Sequence, residues 1–190
     1  MKKLIYLVLF AFIASSAFVA CDDDETTPSP FKKVKLGAQD NASIGGFYSL
    51  SKQKVYTLEQ AFADQVSIDL ICFYEVYNDN FTSIASPGAN IRDVFTGDYD
   101  FAKWDTTKTT YLYQVENTAL TVTQFAALTE DNNMIETLYN EDEARKKAKD
   151  LQVNDIYSFK TEDNQYGLFR VLSVVTDSIG SVEIEYILKK

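Results

Sequence analysis

The two cysteines, Cys21 and Cys72, constrain this 190-residue chain more than any other pair of residues in it. Cys21 closes an N-terminal segment with a basic start (Lys2, Lys3), an apolar run from Leu4 to Phe18, and then Val19-Ala20. That order supplies the charged, apolar and small-residue regions of a secretory signal. A transmembrane span needs roughly 20 apolar residues and anchors at its ends. Here the run is shorter, and Asp22, Asp23, Asp24 and Glu25 come directly after it. Residues 1–20 are therefore predicted to be a cleaved signal peptide, and the fold is built from residues beyond it.

The cysteine at the cut site resembles the lipobox of bacterial lipoproteins. The resemblance implies a diacylglycerol on the Cys21 thiol and an acylated new amino terminus. Such an anchor has more than one acyl chain, which is what stable membrane attachment takes. With Cys21 committed to lipid, Cys72 has no partner and no internal disulfide is available. Cys72 lies in the apolar run Ser67–Glu75, which reads as a buried strand. A lone cysteine there is a small core hydrophobe rather than a nucleophile. Stability must come from packing.

Residues 21–30 are acidic, hold no large apolar side chain, and end in Pro28 and Pro30. They read as an extended tether. Residues 31–190 have the length of one globular domain with a real core. The formal net charge is −10, and Lys2 and Lys3 leave with the signal, so the remainder is more acidic still. That balance argues against nucleic acid and anionic membrane surfaces as partners. There is no histidine. Its absence removes Ser-His-Asp and Cys-His catalysis, His-ligated metal sites and the usual general base at neutral pH. No catalytic residue, metal site or cofactor is assigned.

Along the domain, Val34 and Leu36 alternate with lysines on a first strand, and Phe47–Ser51 with Lys54–Tyr56 reads as a hairpin or two short strands around Lys52-Gln53. Thr57-Leu-Glu-Gln60 has the spacing of a capping box opening a helix. Residues 68–77 read as a central strand. Residues 78–118 are predicted to be the least regular third, with a short helix at 89–95 and a strand at 109–115. Two short helices are expected within 123–139. A third is expected from Asn140, where acids precede bases in the order that suits a helix dipole. Segments 155–160, 166–175 and 181–188 read as a three-stranded meander. The predicted class is α+β: a mostly antiparallel sheet with a few short helices packed on one face and a C-terminal three-stranded meander.

Lys35-Leu-Gly-Ala-Gln39, Gly46-Phe-Tyr-Ser-Leu50 with Val55-Tyr56, Ala61–Val66 leading into Ile68-Asp69-Leu70, and Asp155–Thr161 with Tyr166–Val171 resemble a family of Bacteroidota cell-surface lipoproteins built on a domain of unknown function. The resemblance implies a small secreted domain and carries over no catalytic residue. Asp22, Asp23, Asp24 and Glu25 are similar to the surface-export signal of such lipoproteins. That likeness implies an outer-membrane location facing outward.

Candidate binding residues come from the irregular third. Tyr99, Phe101, Trp104, Tyr111 and Tyr113 would make an aromatic platform for a glycan or protein ligand if exposed. The competing reading makes Trp104 a core plug beneath loops, as large aromatics are highly buried on average. Asp98, Asp100 and Asp105 offer oxygen ligands for calcium but lack the spacing of a helix-loop-helix calcium loop, and a solvated loop is the favoured reading. Asp105-Thr106-Thr107 and Asp177-Ser178-Ile179 resemble O-glycan acceptors, which points to Thr106 and Ser178. The expectation from sequence is a lipid-anchored binding module. An accessory carboxylate-dependent hydrolase or a structural subunit of an envelope assembly is the alternative.

Overall fold

In the computed structural model, residues 29–76, 80–91 and 93–190 are described. Cys21, the acids 22–25 and the signal lie outside them. No helix among the described residues is long and apolar enough to cross a membrane.

Two antiparallel five-stranded sheets face each other. The first runs in the order β1 (Lys32–Gly37), β10 (Ser181–Leu188), β9 (Tyr166–Val175), β8 (Ile156–Thr161), β6 (Thr110–Gln114). The second runs β3 (Lys54–Tyr56), β2 (Phe47–Ser49), β4 (Leu70–Glu75), β5 (Phe81–Ala85), β7 (Lys147–Ala148). The helices among the described residues are short: α1 (Leu58–Ala63), α2 (Val122–Ala126) and α3 (Met134–Thr137).

The α+β expectation is overturned, and the fold is a β-sandwich. The helix expected from Asn140 does not form. Its charge order is worth only tenths of a kcal/mol, and Ala144 and Ala148 are its only buried side chains. Instead Asn140 Oδ1 accepts the Asp142 N–H at 3.2 Å in a turn. Arg145 then exchanges two backbone hydrogen bonds with Leu112 of β6, and Lys147–Ala148 pairs with β5. Closing sheet edges outweighs a charge gradient. Strand β5 falls in the third read as irregular. Both its faces are covered, so buried Thr82 and Ser83 replace the apolar/polar alternation that marks a half-wet strand. The segment expected as a helix at 89–95 has no regular structure among its described residues.

Three apolar clusters result. Leu36, Tyr48, Leu70, Cys72, Ile84, Phe159, Phe169 and Ile184 fill the space between the sheets. Within it the Tyr48 and Tyr186 hydroxyls hydrogen-bond across the two sheets at 2.8 Å. A second cluster covers the outer face of the second sheet with α1 and the 89–104 segment. A third covers the outer face of the first sheet with α2 and α3. Gly167 stands opposite Phe159, and a Cβ there would fall 2.3 Å from the ring. The glycine is what lets that ring lie flat against its neighbour strand.

Two backbone seams join the sheets. On one side Gly37 N–H of β1 bonds to Gly45 O at 3.0 Å, just ahead of Gly46, whose carbonyl accepts the Cys72 N–H at 2.8 Å and so extends the β2–β4 pairing. Beyond that point Gln39 takes the place of a missing strand. Its amide donates to Tyr74 O and accepts from Tyr74 N–H at 3.0 and 2.8 Å. Leu112 and Arg145 form the second seam.

Burial pushes the Cys72 thiol up to about 12. The thiolate is the reactive species, so Cys72 should be inert. With Cys21→Ser as background, native protein is expected not to react with a disulfide thiol reagent on the time scale of minutes, and denatured protein to release one equivalent. Rapid native reaction would show that the two sheets part readily.

Candidate functional site

The chain leaves β5 at Ala85 and returns to the first sheet at Thr110, and the intervening loop lies over the outer face of the second sheet. Its two ends are fastened together. Ser86 Oγ donates to Lys108 O (2.9 Å), Gly88 N–H donates to the same oxygen (2.8 Å), and Thr110 N–H donates to Ser86 Oγ (2.8 Å). The middle is held by rings. Phe101 stacks on Trp104 at 4.3 Å, and both pack against Phe47 of β2. The Trp104 indole N–H donates to Tyr99 O at 3.2 Å. The Tyr99 hydroxyl donates to Glu59 of α1 at 2.9 Å, and its ring packs on Phe62.

This fold-back leaves a cleft of about 550 Å³ between the loop's two limbs. Ile91 and Phe101 supply apolar wall, while Asn90, Asp93, Asp100 and Thr107 supply polar groups. Asp93 is held in the left-handed region at φ 63°, where Asp is tolerated better than a branched residue. Asp100 already caps the Ala102 N–H at 2.8 Å and keeps further acceptor capacity. No lysine or arginine is among the described lining residues. The cleft therefore suits a ligand that donates hydrogen bonds, through hydroxyl or ammonium groups, and also has an apolar face.

A second polar centre lies beneath the loop's far end. Asp69, 2% exposed at the start of β4, accepts the Leu50 N–H at 2.8 Å and meets Lys108 Nζ at 3.0 Å. Lys108 also pairs with Asp163 in the β8–β9 turn. Thr109 N–H donates to the neighbouring Glu162 at 2.7 Å. Burial raises the Asp69 carboxyl above its ordinary range despite these donors. Burial works against the Lys108 ammonium, yet Asp163 and Asp69 together hold its pKa above the usual value. The trio ties the second sheet to the first at the foot of the loop.

The five aromatic residues picked out from sequence divide between two places. Tyr99, Phe101 and Trp104 lie together over the second sheet, with Trp104 9% exposed and part of its outer cluster. Tyr111 and Tyr113 are on β6 of the other sheet. There Tyr111 is half-exposed under the Lys146 ammonium, and Tyr113 packs beside the α2–α3 cluster. Asp98 lies 4.0 Å from Lys103, and Asp100 is engaged as a cap. Thr106 is in an exposed loop with its N–H donated to Gln65, and Ser178 is half-buried in the β9–β10 turn. Lys108, Asp69, Asn90 and Asp93 were not singled out from sequence. Only Asp69 carried a signal, as a lone charge inside the apolar run Ser67–Glu75.

No family model and no curated protein matches the chain. Among solved structures it is similar to a DUF4466 family protein from Parabacteroides merdae ATCC 43184, a member of the Bacteroidota. The TM-score is 0.54 at 12% sequence identity, over 84% of this chain and 54% of that protein. The chain thus spans about half the length of that relative in fold. The likeness is one of fold.

Proposed function

We propose that this chain is an outer-membrane lipoprotein, anchored through Cys21 and facing outward, whose domain binds a glycan or protein ligand in the cleft between Pro87 and Thr107 without transforming it. The observation that carries the reading is the cleft itself. Its size is in the range of ligand pockets, and a few polar groups converge on an apolar wall. It stands on a loop braced to a rigid sheet, which is where binding residues concentrate. The signal ahead of Cys21 and the acids 22–25 support the location.

Ala102 is exposed and lines the cleft, so Ala102→Arg fills it without touching the core. On arrays of glycans and envelope proteins, the parent is expected to retain a ligand that Ala102→Arg loses by about tenfold or more, as for a blocked contact centre. Its melting point should stay unchanged. Equal binding by both forms would move the site elsewhere. Separately, Cys21→Ala should leave the protein unlabelled by radioactive fatty acid and released from membranes. Continued labelling would place the anchor at another residue.

Asp93 and Asp100 line the same cleft, and this favours a carboxylate-dependent hydrolase as the second reading. Turnover of a bound glycan that Asp93→Asn abolishes would establish it over simple binding.

A further inference from the structure

The cleft at 87–107 has a narrow apolar wall and a rim rich in acceptors. Ile91 is only 4% exposed, so the wall is in effect the Phe101 ring, which Trp104 covers at 4.3 Å with the two planes 10° apart. Asn90, Asp93 and Thr107 are exposed around it, and Asp100 is half-buried. The Asp93 carboxylate has no hydrogen-bond or ion-pair partner among the described residues. Asp100 spends one oxygen on the Ala102 N–H at 2.8 Å. The described lysines of this loop are engaged elsewhere. Lys103 donates to Gly97 O and stands 4.0 Å from Asp98, and Lys108 pairs with Asp69 and Asp163.

These surroundings sort the ligand classes. An extended peptide docks by adding a strand, and no lining residue of the cleft lies in a strand. A folded partner covers roughly 800 Å² and seats aromatic or aliphatic anchors in desolvated pockets. One ring beside exposed carboxylates offers no such seat. A lone ammonium gains little, because an exposed ion pair is worth at most about fivefold in affinity and is screened by salt. A sugar ring presents several hydroxyls at once beside a C–H face. Each hydroxyl both donates and accepts, so one sugar satisfies carboxylate, amide and threonine together while its C–H face lies on Phe101.

We propose that the cleft takes a neutral polysaccharide and rejects uronic-acid and sulfated glycans, an inference that rests on the reading of the cleft as the binding site. The two oxygens of Asp93 accept from a pair of neighbouring hydroxyls, and the free oxygen of Asp100 accepts a third. The Asn90 amide donates to a hydroxyl or ring oxygen of the same sugar. An acidic glycan brings its own carboxylates or sulfates against Asp93 and Asp100, on a chain whose formal net charge is already −10. Like charges placed together at a contact select against the wrong ligand.

The test is affinity electrophoresis of the full chain in mild detergent, through gels holding α-glucan, β-glucan, galactomannan or xylan, with polygalacturonate as the anionic counterpart. At least one neutral gel should retard the protein and polygalacturonate should not. Titration of the retarding glycan should give the same affinity at low and high salt, since no ion pair is involved. Asp93→Asn keeps a residue tolerated in the left-handed region and should weaken binding by about tenfold, as for a hydrogen bond to a charged group. Asn90→Ala should weaken it by about fivefold with the melting point unchanged, because Asn90 is exposed. Equal retardation by polygalacturonate, affinity that falls with salt, or full affinity in both variants would each overturn the proposal. So would the absence of retardation in all four neutral gels, and the cleft reading would survive that result if an envelope protein bound the parent and not Ala102→Arg. Retardation that persists in Ala102→Arg would overturn both.

Discussion

Trp104→Ala is expected to destabilise the domain by about 3–5 kcal/mol, the usual cost of removing a buried Trp or Phe. Trp104 is 9% exposed and stacked on Phe101 at 4.3 Å, with Phe47 and Phe62 at 6.0 and 6.5 Å. Deleting the indole leaves a cavity walled by rings that belong to the sheet and to α1 and cannot all collapse into it. It also removes the N–H that fixes Tyr99 O. Against a total stability of roughly 5–15 kcal/mol, this is a large fraction. For a domain of this size the melting point should fall by roughly 6–20 °C. Trp104→Phe should recover most of the loss, since the stack survives and only the indole hydrogen bond and part of the volume go. A melting point within about 2 °C of the parent for Trp104→Ala would show that the loop does not depend on its aromatic anchor. Ligand affinity would then become the measure of this residue.

Sequence leaves two readings of Trp104 open because nothing local separates them. Tyr99, Phe101, Trp104, Tyr111 and Tyr113 fall within fifteen residues of one another. The chain crosses from the second sheet to the first between Trp104 and Thr110, and no local pattern marks a crossing. Elements that are locally determined were legible. Thr57 and Gln60 satisfy both bonds of the capping box, at 3.3 and 3.1 Å. The alternation in β10 places Val182, Ile184 and Tyr186 in the inter-sheet core. The same alternation reads Glu185 as wet. It is in fact 8% exposed and bonded to Arg170 at 2.5 Å, because α2 brings Phe125 over that half of the sheet. What covers a face is decided by residues far away in the chain, and periodicity is silent about it. The cleft is of the same kind. Asn90, Asp93 and Asp100 acquire a common wall only when the loop folds back, so neither spacing nor composition announces them.

Lys108→Met should cost about 3–5 kcal/mol near neutral pH, the penalty for removing one partner of a buried ion pair. Methionine keeps much of the aliphatic stem, so most of the loss is electrostatic. Asp69 would remain in its buried position, still accepting the Leu50 N–H but without a cation beside it. Asp163, 72% exposed, regains water when Lys108 goes, and Asp163→Asn alone should cost less than about 1 kcal/mol. The pH dependence separates this account from lost packing. An acid whose folded pKa lies above its unfolded value binds more protons when folded, so stability falls as pH rises between the two. Asp69 is already raised by burial in the parent, and losing Lys108 raises it further. The deficit of Lys108→Met should therefore be largest at neutral pH and shrink as pH falls toward the ordinary carboxylate range, where Asp69 is protonated. Lys108 contributes with the opposite reach. Its folded pKa exceeds 10.5, so its stabilisation is complete below that value and is lost as pH climbs through the folded pKa. Denaturant titrations of both proteins at several pH values would show the two curves converging on the acid side. A deficit independent of pH would mean that Lys108 acts through its stem. Adding Asp69→Asn to Lys108→Met should restore part of the loss, because the stranded charge is then gone while the acceptor for Leu50 remains.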